Sequence, residues 1–240
     1  MDTLSSLGKL LVVSPHLDDA VFSCGELISR YAGTLVVTVF SGAPPGFNKL
    51  TDWDAASGFL NAEEAIAARK QEDYAALHML AAVPLWLDFY DSQYQATPPM
   101  FAVSSILQKI IEDNKPETIL FPAGLFHSDH ILVHQAMLMS YRDHIDKNWL
   151  MYEDALYWRI AGALQKRLAE LLHARIEATP IVTCDNNAYH AKRQAVQNYT
   201  SQLQALSRTV SDACADAFAR DRLWRLTPMK AHVSGAKAHD

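Results

Sequence analysis

Hydrophobic positions along the chain change period several times, and each change marks the edge of an element. Residues 9–15, KLLVVSP, form a short β-branched run, and from Asp18 onward Val21, Cys24, Leu27, Ile28 and Tyr31 recur at helical spacing. This predicts a strand, a tight loop and a helix. TLVVTVFSG at 34–42, LWLDFYD at 85–91, ETILFPAG at 117–124 and WLMYED at 149–154 predict four further strands. These runs are apolar on both faces, as in parallel strands covered on both sides. Between them, Asn61 followed by Glu64 predicts a capped start for a helix over 62–81, with Pro84 closing the connection to the next strand, and 103–114 predicts a helix ending before Pro116.

Strand and helix alternate through the first two thirds of the chain. That pattern predicts an α/β fold, a Rossmann-like, doubly wound, mostly parallel sheet with helices on both faces. Beyond residue 155 the periodicity of 161–175 and 188–208 predicts a helical C-terminal third. Residues 41–60 carry Gly, Pro, Asn and Asp without a period and predict a long functional loop, while 231–240 read as a frayed tail.

Composition narrows the function classes. With 240 residues, 50% of them hydrophobic, the chain has material for a sizeable core and one domain is the expectation. The net charge of -6 supplies no basic field to hold a polyanion, so nucleic acid is not an expected partner. Cys24, Cys184 and Cys214 form neither an even disulfide framework nor a CxxC pair. The N-terminal stretch lacks a basic region and is soon interrupted by charge, so neither a signal peptide nor a membrane span is expected. The expectation is a cytoplasmic protein.

The chemistry-bearing residues gather at two strand ends. PHLDD places His16, Asp18 and Asp19 directly after the first strand, where an open parallel sheet binds its ligands. No G-x-G-x-x-G or P-loop is present there, so a nucleotide cofactor has no support. Imidazole and carboxylate suit a zinc-like divalent ion, but two ligands are too few. FHSDHILVHQAM supplies His127, Asp129, His130 and His134 after the fourth strand. Singly, Asp19 reads better as a helix cap and His16 and His130 as core-edge imidazoles. Their pairing at matching strand ends points to a metal site, with His134 as a supporting group.

PHLDD together with HSDH resembles the paired signature of the LmbE-like, or PIG-L, family of zinc-dependent N-deacetylases, which act on N-acetylglucosaminyl groups. The resemblance extends more loosely through RKQE at 69–72, DFYDS at 88–92 and KRQAVQNYTSQ at 192–202. It implies a single domain over 1–240, with a core at about 9–205 and a C-terminal helix and tail at 206–240. It implies Zn2+, or another divalent metal, held by His16, Asp19 and His130. Asp18 would then be the general base for water attacking an acetamide carbonyl, protonated His127 the oxyanion stabiliser, and Asp129 the group that orients His127. Arg69 and Asp91 match substrate-binding positions, and the substrate would be a small amino sugar or N-acetylglucosamine conjugate.

The signature departs from its usual form A-H-P-D-D-E: the proline precedes the histidine, Leu17 replaces it afterwards, and Ala20 stands where glutamate is frequent. A tyrosine that some members carry two residues before the catalytic histidine is Leu125 here. Trp53 in the 41–60 loop is a candidate for stacking on a sugar ring. Two other classes stay open: a non-catalytic metal or sugar-binding module, and a hydrolase of another amide or ester. The aglycone and the oligomeric state, including a homo-oligomer, are equally open.

Overall fold

In the first strand, β1 (Leu10–Ser14), Leu10 and Val12 face one hydrophobic layer while Leu11 and Val13 face another. That alternation sets the architecture of the whole computed structural model, which describes residues 7–229 apart from 48, 96, 183 and 210–212. After β1 come α1 (Asp19–Arg30), β2 (Leu35–Thr38), α2 (Asp52–Ser57), α3 (Ala62–Met79), β3 (Val83–Trp86), α4 (Met100–Asn114) and β4 (Thr118–Pro122). The chain continues through α5 (Ser128–Asp143), β5 (Asn148–Tyr152), α6 (Ala163–His173), β6 (Ile176–Ile181), α7 (Asn186–Val196), α8 (Thr200–Thr209), α9 (Ala213–Ala217) and β7 (Leu223–Pro228). The fold is α/β, a seven-stranded sheet in the order β3-β2-β1-β4-β5-β7-β6.

The five strands from β3 to β5 are parallel. Helices α1, α3, α7 and α8 pack residues such as Val21, Leu77, Val196 and Leu206 on one face of the sheet. Helices α4, α5 and α6 pack Leu107, Val133, Met137 and Leu171 on the other. The chain leaves β1 toward β2 and β3, then returns to β4 on β1's other side. The loops after β1 and β4 therefore diverge, and a crevice opens between them at the carboxyl edge of the sheet.

Three expectations shift. The third strand lies at Val83–Trp86, with Asp88 and Tyr90 reduced to isolated bridges to Phe40 and Gly42. Pro84 is inside this strand, which is tolerated because β3 is a sheet edge. The 41–60 segment contains α2, started by Thr51 accepting from the Asp54 N–H and stopped by Gly58 at φ 92. The C-terminal third contains β6 and β7 among its helices, with β7 running antiparallel between β5 and β6. The tail at 231–240 lies outside the described residues. Among the described residues no helix is long and apolar enough to cross a membrane.

Candidate active site

The loop after β1 is fixed by its own short side chains. Ser14 Oγ donates to the His16 carbonyl at 2.7 Å and accepts the Ala20 N–H at 3.0 Å, while Asp19 Oδ2 accepts the His16 N–H at 2.9 Å. Asp18 is left at φ 153, ψ -37, a conformation side chains rarely adopt, and its carboxylate makes no capping bond to α1. After β4, Gly124 takes φ +69, and a Cβ there would lie 2.6 Å from the His134 Cβ. His127 caps α5, its Nδ1 accepting the Asp129 N–H at 3.3 Å.

These two loops bring the cluster together. Asp19 Oδ2 lies 3.2 Å from His16 Nδ1 and 3.2 Å from His130 Nε2. His130 Nδ1 faces Asp154 Oδ1 at 2.6 Å, just beyond β5, and Asp154 Oδ2 accepts the Leu125 N–H at 2.7 Å. His16 Nε2 faces Asp129 Oδ2 at 3.1 Å, and that oxygen also accepts the Ser92 N–H at 3.0 Å. Two trios of donor atoms converge within 4.8 Å of one another, His16 with Asp19 and His130, and His16 with His127 and Asp129.

The donor set suits a divalent cation. Asp18, Asp19, Asp129 and Asp154 are all buried within one cluster, an expensive arrangement unless positive charge joins it. The first trio leaves the second nitrogen of each imidazole on a carboxylate, the support that orients metal-binding histidines. In the second trio Asp129 is already engaged by His16 and Ser92.

The electrostatics assign protons. Burial opposes charge on His16, but Asp91, Asp129 and Asp19 outweigh it and raise its pKa; His130, buried between Asp19 and Asp154, is raised to about 9. Burial would raise Asp19 and Asp129 too, but His130 and His16 draw Asp19 far below the ordinary range, and His16 with Ser92 does the same for Asp129. Asp18 is pushed up by burial and by Asp19, with His16, Arg69 and His130 only partly offsetting them. His127 is lowered by burial and by the charges of His16 and His130.

The geometry bears on the two roles that the resemblance implies for His127 and Asp129. Burial and the neighbouring imidazoles of His16 and His130 work against a proton on His127, while Asp129 and Asp91 work for one. With Nδ1 accepting from Asp129, the neutral ring carries its hydrogen on Nε2. Asp129 donates its backbone N–H to His127 Nδ1, and its carboxylate bonds His16 while lying within 4.8 Å of a His127 ring nitrogen. His134 bonds Pro122 O through Nδ1 at 2.9 Å and stands outside both trios.

A cavity of about 270 Å³ adjoins the cluster and is lined by His16, Asp18, Asp19 and His127. Phe40, Trp53, Leu156 and Tyr157 give it apolar walls, and Arg69, Asp91, Gln93 and Gln202 give it polar groups. Arg69 is paired at 2.7 Å with buried Asp54 of α2, and Asp91 caps the 3-10 turn at Ser92–Tyr94 while holding Gln93 through both carboxylate oxygens. Trp53 Nε1 donates to Gln202 Oε1 at 2.9 Å, joining the 41–60 segment to α8. Sequence reasoning left Asp154, Tyr157, Gln93 and Gln202 out of the site. Asp154 had a signal in its position at the end of a predicted strand, and Gln202 in closing the KRQAVQNYTSQ segment that extends the resemblance.

Comparison with known proteins adds the family context. Residues 11–141 match the model of the family described as PIG-L, GlcNAc-PI de-N-acetylase. The 2'-N-acetylparomamine deacetylase of Streptomyces fradiae is 31% identical over 150 residues, covering 54% of this chain and 51% of that protein, so the match spans about half the relative's length. Among solved structures, a triple mutant of a deacetylase of the teicoplanin biosynthetic pathway superposes with a TM-score of 0.78 at 24% identity, covering 93% of this chain and 99% of that one. The A40926 pseudoaglycone deacetylase gives 0.75 at 24% identity, covering 95% and 100%. At these identities the two structures show a shared fold.

Proposed function

This chain belongs to the PIG-L family of GlcNAc-PI de-N-acetylases, and on that premise we propose that it is a metal-dependent hydrolase that removes an acetyl group from an N-acetylated amino sugar or its conjugate. The observation that carries the reading is Asp18, a buried carboxylate free of the helix cap and lining the cavity beside the convergent donors of His16, Asp19 and His130. A pure binding module needs the three donors but has no use for this fourth group.

His16, Asp19 and His130 would hold the metal, which zinc fits best by ligand type. When bound, such an ion supplies Lewis-acid polarisation of the acyl oxygen and a more acidic water. Asp18, with a cation close by to keep it ionised, takes a proton from the attacking water. The oxyanion of the tetrahedral carbon accepts a hydrogen bond from Nε2 of neutral His127. Asp18 then returns its proton to the departing nitrogen as the C–N bond breaks, leaving acetate and the free amine. Asp129 and Asp154 hold the two imidazoles in the required tautomers.

The cavity's apolar walls beside Asp91, Gln93 and Gln202 suit a sugar ring, which offers both C–H faces and hydroxyls. Metal analysis of the purified protein, paired with amine release from a broad panel of N-acetylglucosamine conjugates, tests the proposal. About one divalent ion per chain and released amine are expected. Metal without turnover would leave a binding module, and turnover confined to esters would replace the amide by another bond.

A further inference from the structure

Phe126 is the residue of the catalytic loop that the scheme above leaves unused. It stands between Leu125, buried in the core, and His127, which lines the cavity, yet it is itself 68% exposed. Its φ is +62, and the His127 N–H donates back to the Leu125 carbonyl at 2.7 Å. That is a three-residue turn of positive φ, a rare and strained form, and a bulky side chain is unfavourable in it. Glycine or asparagine would take this backbone at lower cost, and a polar group would suit the water that Phe126 faces. The backbone and the exposure therefore do not by themselves favour a phenylalanine here, and strain beside a reactive centre points to use.

The ring also has a partner. Its centroid lies 5.9 Å from that of Tyr157, while Tyr157 stacks on His127 at 6.0 Å and 20° and meets His130 edge-on at 5.1 Å. An aromatic surface thus continues from the buried histidines past the cavity wall to solvent. The cavity itself, about 270 Å³, is near the small end of ligand pockets and accommodates little beyond one sugar unit. Whatever is bonded to that sugar has to lie outside, and Phe126 is the exposed aromatic side chain that follows on from the cavity-lining Tyr157.

We propose that the Phe126–Tyr157 ring pair is the platform for the group attached to the acetylated amino sugar, so that conjugates with an aromatic aglycone are preferred over those with a small or polar one. The proposal rests on the deacetylase reading in taking the cavity as the amino-sugar site. Stacking on an exposed ring favours the aryl ligand by about fivefold and acts through binding, since no reacting atom is touched.

The test uses the phenyl and methyl glycosides of N-acetylglucosamine with the metal-loaded protein, following amine release and, by calorimetry, binding. The phenyl glycoside is expected to have the lower KM and Kd by about fivefold, with similar kcat. In Phe126→Ala and in Phe126→Asn, which relieves the backbone strain, the difference should fall to near one through the phenyl glycoside alone, while Phe126→Trp retains it. A phenyl preference that is absent in the parent protein, or that survives both substitutions, overturns the platform. If neither glycoside is hydrolysed but the Phe126-dependent difference in Kd is present, the platform stands and the deacetylase reading fails. If neither glycoside binds, the platform is overturned.

Discussion

Nδ1 of His130 lies 2.6 Å from Oδ1 of Asp154, and this one contact ties the helix after β4 to the end of β5. Asp154 also accepts the Leu125 N–H, so the carboxylate is held from two sides and fixes which nitrogen His130 presents toward Asp19. Asp154→Asn keeps the size but cannot accept both bonds. A metal affinity lower by about tenfold to hundredfold is expected, read by competition with a chelator. Unchanged affinity would remove His130 from the ligand set or Asp154 from its support.

Asp18→Asn is expected to retain the metal while lowering kcat by roughly 10²- to 10⁴-fold, the usual contribution of a general base. Metal content and kcat measured on the same preparation separate the two effects. Parent-like turnover would exclude Asp18 as the base.

Arg69 and Asp54 are a buried ion pair at 2.7 Å, and Arg69 also lies over the Phe59 ring. Arg69→Met strands the Asp54 carboxylate, so a loss of about 3 kcal/mol in unfolding free energy is expected. Combining it with Asp54→Asn should recover more than 1 kcal/mol of that loss, because the stranded charge is gone. Denaturant unfolding of the four members of the cycle checks this; additive losses would mean that Arg69 is not held mainly by Asp54.

His134 is held neutral in the fold, its pKa lowered to about 3 by burial and by Arg167, with Nδ1–H donating to Pro122 O. The unfolded chain binds a proton near pH 6.5, so this contribution to stability is full above that pH and is lost as pH falls toward 3, by up to about 1.4 kcal/mol per unit. His134→Asn, whose amide can replace the Nδ1–H donor, should flatten the pH dependence of Tm in that window. A curve parallel to the parent's would contradict the assignment.

Asp73 runs the other way. Burial raises it to about 6 although Trp86 Nε1 and Tyr199 OH both donate to it, so the folded chain holds its proton more tightly than the unfolded one. Its contribution is most favourable below about pH 4 and is lost as pH rises through 6. Asp73→Asn is expected to gain on the parent protein by on the order of 2 kcal/mol between pH 4 and 7. Thermal unfolding at the two ends of that range measures the gain.

The sequence by itself determined the α/β class, the alternation of its first two thirds, and the two clusters of His and Asp at the ends of the first and fourth strands. These depend on period, on caps and on residue type, which act over a few neighbouring positions. The strands β6 and β7 escaped because each pairs with partners distant in sequence, and their short runs with Pro180 and Pro228 give little local signal. Only the tertiary structure decided which carboxylate serves which imidazole: Asp129 turns to His16, 113 residues away, and Asp154 to His130, 24 away. Strand order, and not spacing along the chain, sets those neighbours. The same holds for Arg69, whose guanidinium meets Asp54, and for His127, whose ring the sheet brings edge-on to His16 at 5.3 Å between centroids.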